Sequence, residues 1–249
     1  IIGYIRNIKM TDYDYNKYTT IYKFKINDDG SLKYNNKTKE EGSTINQFSL
    51  DEYQNNLRVA LSGNEGSRIV IFDENLKKIG STEYLSKGER MYSTRFLGNK
   101  AYMVTYKNTD PLYAIDLSIP TSPKVLGELK IPGYSTYLHP YDENHLIGIG
   151  METKEKVYRD SFGKVKRTTA IITGMKMALF DVSDINNPIQ ISKTVIGDSR
   201  TTSAILTNHK ALLFSKEKGI LAIPVNKYES DFEINVNNED NISDMESIY

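Results

Sequence analysis

Two histidines, His139 and His145, flank the turn Pro140-Tyr141-Asp142-Glu143-Asn144. Imidazoles beside carboxylates are the side chains a divalent metal would take. The sequence offers no third ligand at metal-site spacing, and His209 stands in the equivalent turn of the following repeat. The pair therefore reads as turn chemistry, and no metal is expected. Asp73, Asp116 and Asp181 raise the question of paired carboxylates for acid–base work. Each closes a short apolar run at the same place in a repeat, which marks a structural task performed once per unit. No Gly-rich phosphate loop, Gly-x-Ser-x-Gly elbow or His-Glu-x-x-His helix is present, and no cysteine exists to serve as nucleophile or ligand. No catalytic residue and no cofactor is expected.

A third group of residues points to binding. Residues 152–173 carry Lys154, Lys156, Arg159, Lys164, Lys166 and Arg167 against Glu152, Glu155 and Asp160. With Ser161-Phe162-Gly163 at its tip, this stretch reads as a β-hairpin inserted into a regular repeat, and projecting loops are where binding residues concentrate. Exposed aromatics beside Arg make good contact residues, so Tyr158, Arg159, Phe162, Lys164, Lys166 and Arg167 are the candidate binding set. The solvated hairpin with no partner is the plainer alternative. Residues 229–249 hold seven acids and no Lys or Arg, a composition typical of a solvated linker. Asn237-Asn238-Glu239-Asp240-Asn241 lacks the Gly and spacing of a calcium loop.

These residues sit in a repeat. Ile71-Phe72-Asp73, Ile115-Asp116, Phe180-Asp181 and Ile223-Pro224 each close a β-branched and aromatic run. From Phe72 to Ile115 is 43 positions, from Phe180 to Ile223 again 43, and the middle interval of 65 exceeds the period by the 22 residues of the inserted hairpin. Each unit begins with a strand (92–97, 135–138, 203–207), turns on polar residues that tolerate positive φ, and continues with a second strand (57–61, 101–106, 146–149, 211–215). The marker strand follows, and then a fourth (125–131, 189–196). After the marker, Asp116-Leu117-Ser118 with Pro123 and Asp181-Val182-Ser183 with Pro188 share one spacing. The Asp can hold backbone N–H groups of the turn it opens, and Pro fits where no ladder donor is wanted.

Four short antiparallel strands every 40–50 residues predict an all-β fold, a β-propeller of four-stranded blades. About four to five blades are expected as a partial ring within one domain. Residues 1–45 form a partial first blade, with strands at 20–26 and 32–34 and a further one at 1–5. Residues 46–90 form the second, 91–133 the third, 134–200 the fourth with hairpin 152–173, and 201–249 an incomplete fifth with the acidic tail. A parallel β-helix is the competing architecture, but its coils lack tight hairpins.

The phrases Asn46-Gln47-Phe48-Ser49-Leu50-Asp51-Glu52-Tyr53, Gly88-Glu89-Arg90-Met91-Tyr92-Ser93 and Asp110-Pro111-Leu112 resemble a known family. So do Pro132-Gly133-Tyr134-Ser135-Thr136-Tyr137-Leu138-His139-Pro140, Gly174-Met175-Lys176-Met177-Ala178-Leu179-Phe180-Asp181 and His209-Lys210-Ala211-Leu212-Leu213-Phe214. The family is that of bacterial and archaeal secreted or cell-surface proteins with a C-terminal β-propeller domain. The resemblance implies an extracytoplasmic propeller cut from a longer parent, and it brings no catalytic residue with it. The Ile1-Ile2-Gly3 start agrees with a piece of a longer protein, and the wealth of Lys, Asn, Ile and Tyr suggests an AT-rich bacterial genome.

Composition narrows the partners. Thirty-two basic and thirty-two acidic side chains give zero formal net charge, so no global field draws the chain to nucleic acid, and no apolar run is long enough for a membrane helix. Two functional readings remain. One is a non-enzymatic binding or scaffold module that presents loops and the basic-aromatic hairpin to a protein or polysaccharide at the cell surface. The other is a propeller enzyme of hydrolase or lyase type, with acids and His from several blades meeting in the central channel.

Overall fold

The computed structural model describes residues 17–106 and 110–228, so the strand expected at 1–5 and the acidic run 229–249 lie outside the described residues. Three four-stranded antiparallel sheets follow one another in the chain. The first is β3 (Leu50–Tyr53), β4 (Asn56–Gly63), β5 (Gly66–Phe72) and β6 (Lys78–Ser81). The second is β7 (Arg90–Leu97), β8 (Lys100–Tyr106), β9 (Asp110–Asp116) and β10 (Lys124–Ile131), and the third is β11 (Tyr134–Pro140), β12 (His145–Arg159), β13 (Val165–Asp181) and β14 (Ile189–Ile196). Within each sheet spatial order equals chain order, as tight hairpins require. A parallel β-helix is thereby ruled out. Two-stranded sheets flank the three, β1 (Tyr18–Ile26) with β2 (Leu32–Glu41) before them and β15 (Leu213–Ser215) with β16 (Ile220–Ala222) after.

The apolar runs of the inner strands are continuous because both faces of each sheet are covered. Successive side chains point to opposite faces, and the structure uses both. Ala101, Met103 and Ile115 pack with Ala60, Ile69 and Ile71 of the preceding sheet. Their neighbours Tyr102, Val104, Leu112 and Ala114 pack with Leu146, Ala178 and Phe180 of the following one. The third sheet repeats the rule, sending Ile147, Ile149 and Met175 on to Ile205 and the fifth unit. At the other end Val59, Leu61, Val70 and Phe72 cover Ile21 of β1. Among the described residues nothing comparable covers the opposite face of β1–β2, where Tyr18, Tyr22, Phe24 and Tyr34 are each about half exposed.

A second contact locks consecutive sheets at their outer strands. The turn opened by Asp116 is held by its Oδ1, which accepts the Ser118 N–H at 2.9 Å, and the turn opened by Asp181 by the matching bond from Ser183 at 2.9 Å. The Pro that follows each turn presses on a glycine in the fourth strand of the sheet before it. A Cβ at Gly80 of β6 would meet the Pro120 carbonyl and lie 3.2 Å from Pro123 Cδ; one at Gly127 of β10 would meet the Ile185 carbonyl and lie 2.8 Å from Pro188 Cδ.

The fifth unit departs from the expected pattern. Residues 203–207 do not form a first strand: Ala204–Leu206 is a 3-10 turn, and a second one, His209–Ala211, shortens the expected strand 211–215 to Leu213–Ser215. The physical reason is capping. The Ser203 hydroxyl accepts the Ile205 N–H and the Asn208 side chain accepts the Lys210 N–H, local bonds that compete with a sheet ladder.

Candidate functional site

Beyond Glu152 on β12 and Gly174 on β13 the two strands run on with no further ladder partner among the described residues, since β11 pairs only as far as Met151 and β14 only as far as Met175. Residues 153–172 thus form a free two-stranded ribbon that projects from the third sheet. Its root is fixed. Glu152, almost fully buried, pairs with Lys193 of β14 at 3.0 Å, and the Thr153 hydroxyl accepts the Gly133 N–H at 2.9 Å.

The tip is built by local bonds from one side chain. Asp160 Oδ1 accepts the N–H groups of Phe162 at 3.0 Å and Lys164 at 2.9 Å, while the Asp160 and Lys164 backbones close the hairpin. Gly163 takes φ +78°, the left-handed position such a turn requires. This geometry thrusts Phe162 into solvent, 94% exposed. Arg159 folds back to donate to the Gly163 carbonyl at 3.0 Å. Farther down, the Arg167 guanidinium lies 4.5 Å and the Lys156 ammonium 5.3 Å from the centre of the Tyr158 ring. Contacts of this kind are worth about 0.5–1 kcal/mol at exposed sites.

The structure therefore gathers Tyr158 and Arg167 into one cluster and places Arg159, Phe162 and Lys164 at the tip. Lys166 is exposed and falls at the register shift between Tyr158 and Arg159, outside that cluster. Lys156 belongs with Tyr158 and Arg167 and was not among the candidates. The alternation Lys154, Lys156, Tyr158 was the sequence signal that would have found it, since residues two apart on a strand share a face.

A second convergence lies between the units. First strands β7 and β11 run side by side, with Ser93 Oγ donating to the Ser135 carbonyl at 2.7 Å and Arg95 Nε to the Leu138 carbonyl at 2.7 Å. The Arg95 guanidinium sits 3.9 Å over the Phe48 ring and 5.3 Å over Tyr137. Phe48 meets His209 edge to face at 4.9 Å, and His139 meets Phe214 at 4.6 Å. Four units thus meet at Phe48. Burial pushes the His139 imidazole below its ordinary value, and the nearby Arg95 charge adds to the effect. Burial also lowers Arg95, which stays charged.

His139 and His145 do not converge. His139 Nδ1 lies 3.1 Å from the Tyr137 hydroxyl, facing the aromatic cluster, while His145 Nδ1 bonds Asp142 at 2.8 Å in the turn between β11 and β12. Asp142 also accepts the Lys216 ammonium at 2.8 Å and the Asn144 N–H at 2.9 Å. The Lys216 bond, with help from His145 and Asn144, holds the Asp142 carboxyl well below the usual carboxylate range. A carboxylate so occupied is a poor proton acceptor. Among the described residues no group of three or more His, Cys, Asp or Glu stands together as a metal could use.

The family model of the beta propeller domain matches residues 4–245. This chain belongs to the beta propeller domain family. Over 215 residues, 84% of its length, the propeller is 39% identical to an uncharacterized protein of Methanocaldococcus jannaschii, and over 184 residues, 74%, it is 37% identical to one of Archaeoglobus fulgidus. Both relatives are archaeal. The matched regions are 31% and 26% of those proteins, so the propeller spans less than a third of the curated relatives it matches. No helix among its described residues is long and apolar enough to cross a membrane.

Proposed function

We propose that this propeller is a non-enzymatic binding or scaffold module working outside the cytoplasm, and that the β12–β13 ribbon is its contact element for a protein or cell-wall polymer. The observation that carries the reading is the ribbon itself, a rigidly capped two-stranded projection with a bare Phe162 at its tip and a cation-flanked Tyr158 on its shaft. None of the hydrophobic clusters draws a residue from 153–173. A projection that the core does not use, yet whose turn is built by specific bonds, suits recognition rather than folding.

The enzyme reading asks for an acid–base pair at the convergence of the units. The groups that meet there are aromatic rings, imidazoles and the Arg95 guanidinium, and the one close His–carboxylate pair among the described residues, His145 with Asp142, is held by Lys216 in a surface turn. That arrangement favours the binding module.

The test uses the register. Thr153 and Ile172 are direct partners, so residues 154–171 can be replaced by an Asn-Gly turn. Immobilised parent and shortened chains are compared on an array of neutral and acidic glycans and on cell-envelope proteins. The expected result is an unchanged melting curve with at least tenfold weaker capture. Undiminished capture by the shortened chain overturns the proposal, as does its unfolding.

A further inference from the structure

The register of the ribbon sorts its side chains onto two unlike faces. Directly paired residues of an antiparallel ladder share a face, and alternate positions along a strand return to it. Tyr158 pairs with Arg167, Lys156 with Thr169 and Lys154 with Ile171, so Lys154, Lys156, Tyr158 and Arg167 stand together. Glu155 pairs with Ala170, Val157 with Thr168 and Thr153 with Ile172. The carboxylate of this stretch and the exposed aliphatic groups of Val157 and Ile172 therefore occupy the opposite face.

Tyr158 is the organiser of the cationic face. With Arg167 at 4.5 Å and Lys156 at 5.3 Å from its ring centre, it holds two long chains over an aromatic surface and away from Glu155 behind them. Chains ordered before binding lose less freedom when a ligand arrives. Among the described residues no third strand flanks this face, which is a narrow strip along the ribbon, and same-face neighbours along a strand are about 7 Å apart. Such a strip suits a linear ligand that offers anionic groups at intervals and has no single end or shape to be enclosed.

Resting on the proposal that the ribbon is the contact element, we infer that its Tyr158 face binds an acidic polysaccharide, pairing carboxylates of successive sugars with Lys154, Lys156 and Arg167. Nucleic acid is the less suited polyanion. Tight duplex binders neutralise about 6–10 phosphates, against three cations here on a chain of zero formal net charge. An acidic peptide would add along a strand edge through backbone hydrogen bonds, leaving the face uninvolved.

The experiment measures binding of the whole chain to polygalacturonate, with neutral dextran, poly-glutamate and a single-stranded oligonucleotide alongside. Polygalacturonate binding is expected, and it should weaken with a log–log salt slope of about −2 to −3, as three released counterions dictate. Lys156→Ala and Arg167→Ala should each weaken it about three- to tenfold, whereas Glu155→Gln, on the opposite face, should not. No binding to polygalacturonate, equal binding to dextran, or stronger binding to poly-glutamate or the oligonucleotide overturns the inference. If Val157→Ser or Phe162→Ala abolishes capture from the envelope panel while Lys156→Ala does not, the ribbon remains the contact element and its cationic face does not. If deleting residues 154–171 changes no binding at all, both proposals fall.

Discussion

Gln47 and His209, 162 positions apart in the chain, are joined by a 2.8 Å hydrogen bond from Gln47 Nε2 to the His209 ring. The bond ties the second unit to the fifth without passing through the sheets between them. Beside it, Phe48 carries the Arg95 guanidinium on its face and His209 at its edge. Truncating such a residue removes contacts to several units at once. Phe48→Ala is expected to cost about 2 kcal/mol, since the ring is only half-buried and a fully buried one would cost more. Urea unfolding should show a lower midpoint with an unchanged slope. An unmoved midpoint would mean that the convergence at Phe48 holds nothing together.

Gly127 is the sharpest test of how consecutive sheets dock. A methyl group there would meet the Ile185 carbonyl and the Pro188 ring, atoms of the rigid turn that Asp181 holds, so neither can retreat easily. Gly127→Ala should destabilise by about 1–3 kcal/mol as an overpacked site. Gly163→Ala, at the solvated ribbon tip with nothing near its Cβ, should cost only the strain of its positive φ, about 1 kcal/mol. Thermal melts of the two variants check the order, and a larger loss at Gly163 would contradict the docking account.

His139 gives stability a pH dependence. Its folded pKa is lowered, first by burial and then by Arg95, so the unfolded chain takes up a proton that the folded chain resists. The contribution is present above the unfolded value, about 6.5, and is lost as pH falls from there through the folded value. The urea midpoint should therefore drop as pH falls below about 6.5 in the parent and drop less in His139→Gln. Parallel curves for the two would remove His139 as the cause.

Much of this fold could be read from the letters. The interval between Phe72 and Ile115 fixes one sheet, and Asp181-Val182-Ser183 with Pro188 marks both a turn and, as the structure adds, a docking point on Gly127. What could not be read is which strand end meets which across units. Nothing in Asn46-Gln47-Phe48 signals Arg95 or His209, because those contacts are set by how whole sheets stack. Residues 203–207 misled because their apolar character fits a strand while Ser203 and Asn208 offer the backbone closer partners. In the hairpin the tip was legible from Ser161-Phe162-Gly163, but the company of Lys156, Tyr158 and Arg167 needed the register.

The ribbon reaches on the order of 20 Å past the last shared ladder bond, and the hydrophobic clusters take nothing from it. Its amino acids are consequently released from the demands that packing makes on the blades. Evolution can rewrite the ribbon's chemistry, lengthen it or trade it for another while the sheets below stay as they are, so proteins sharing this scaffold are free to differ at this projection.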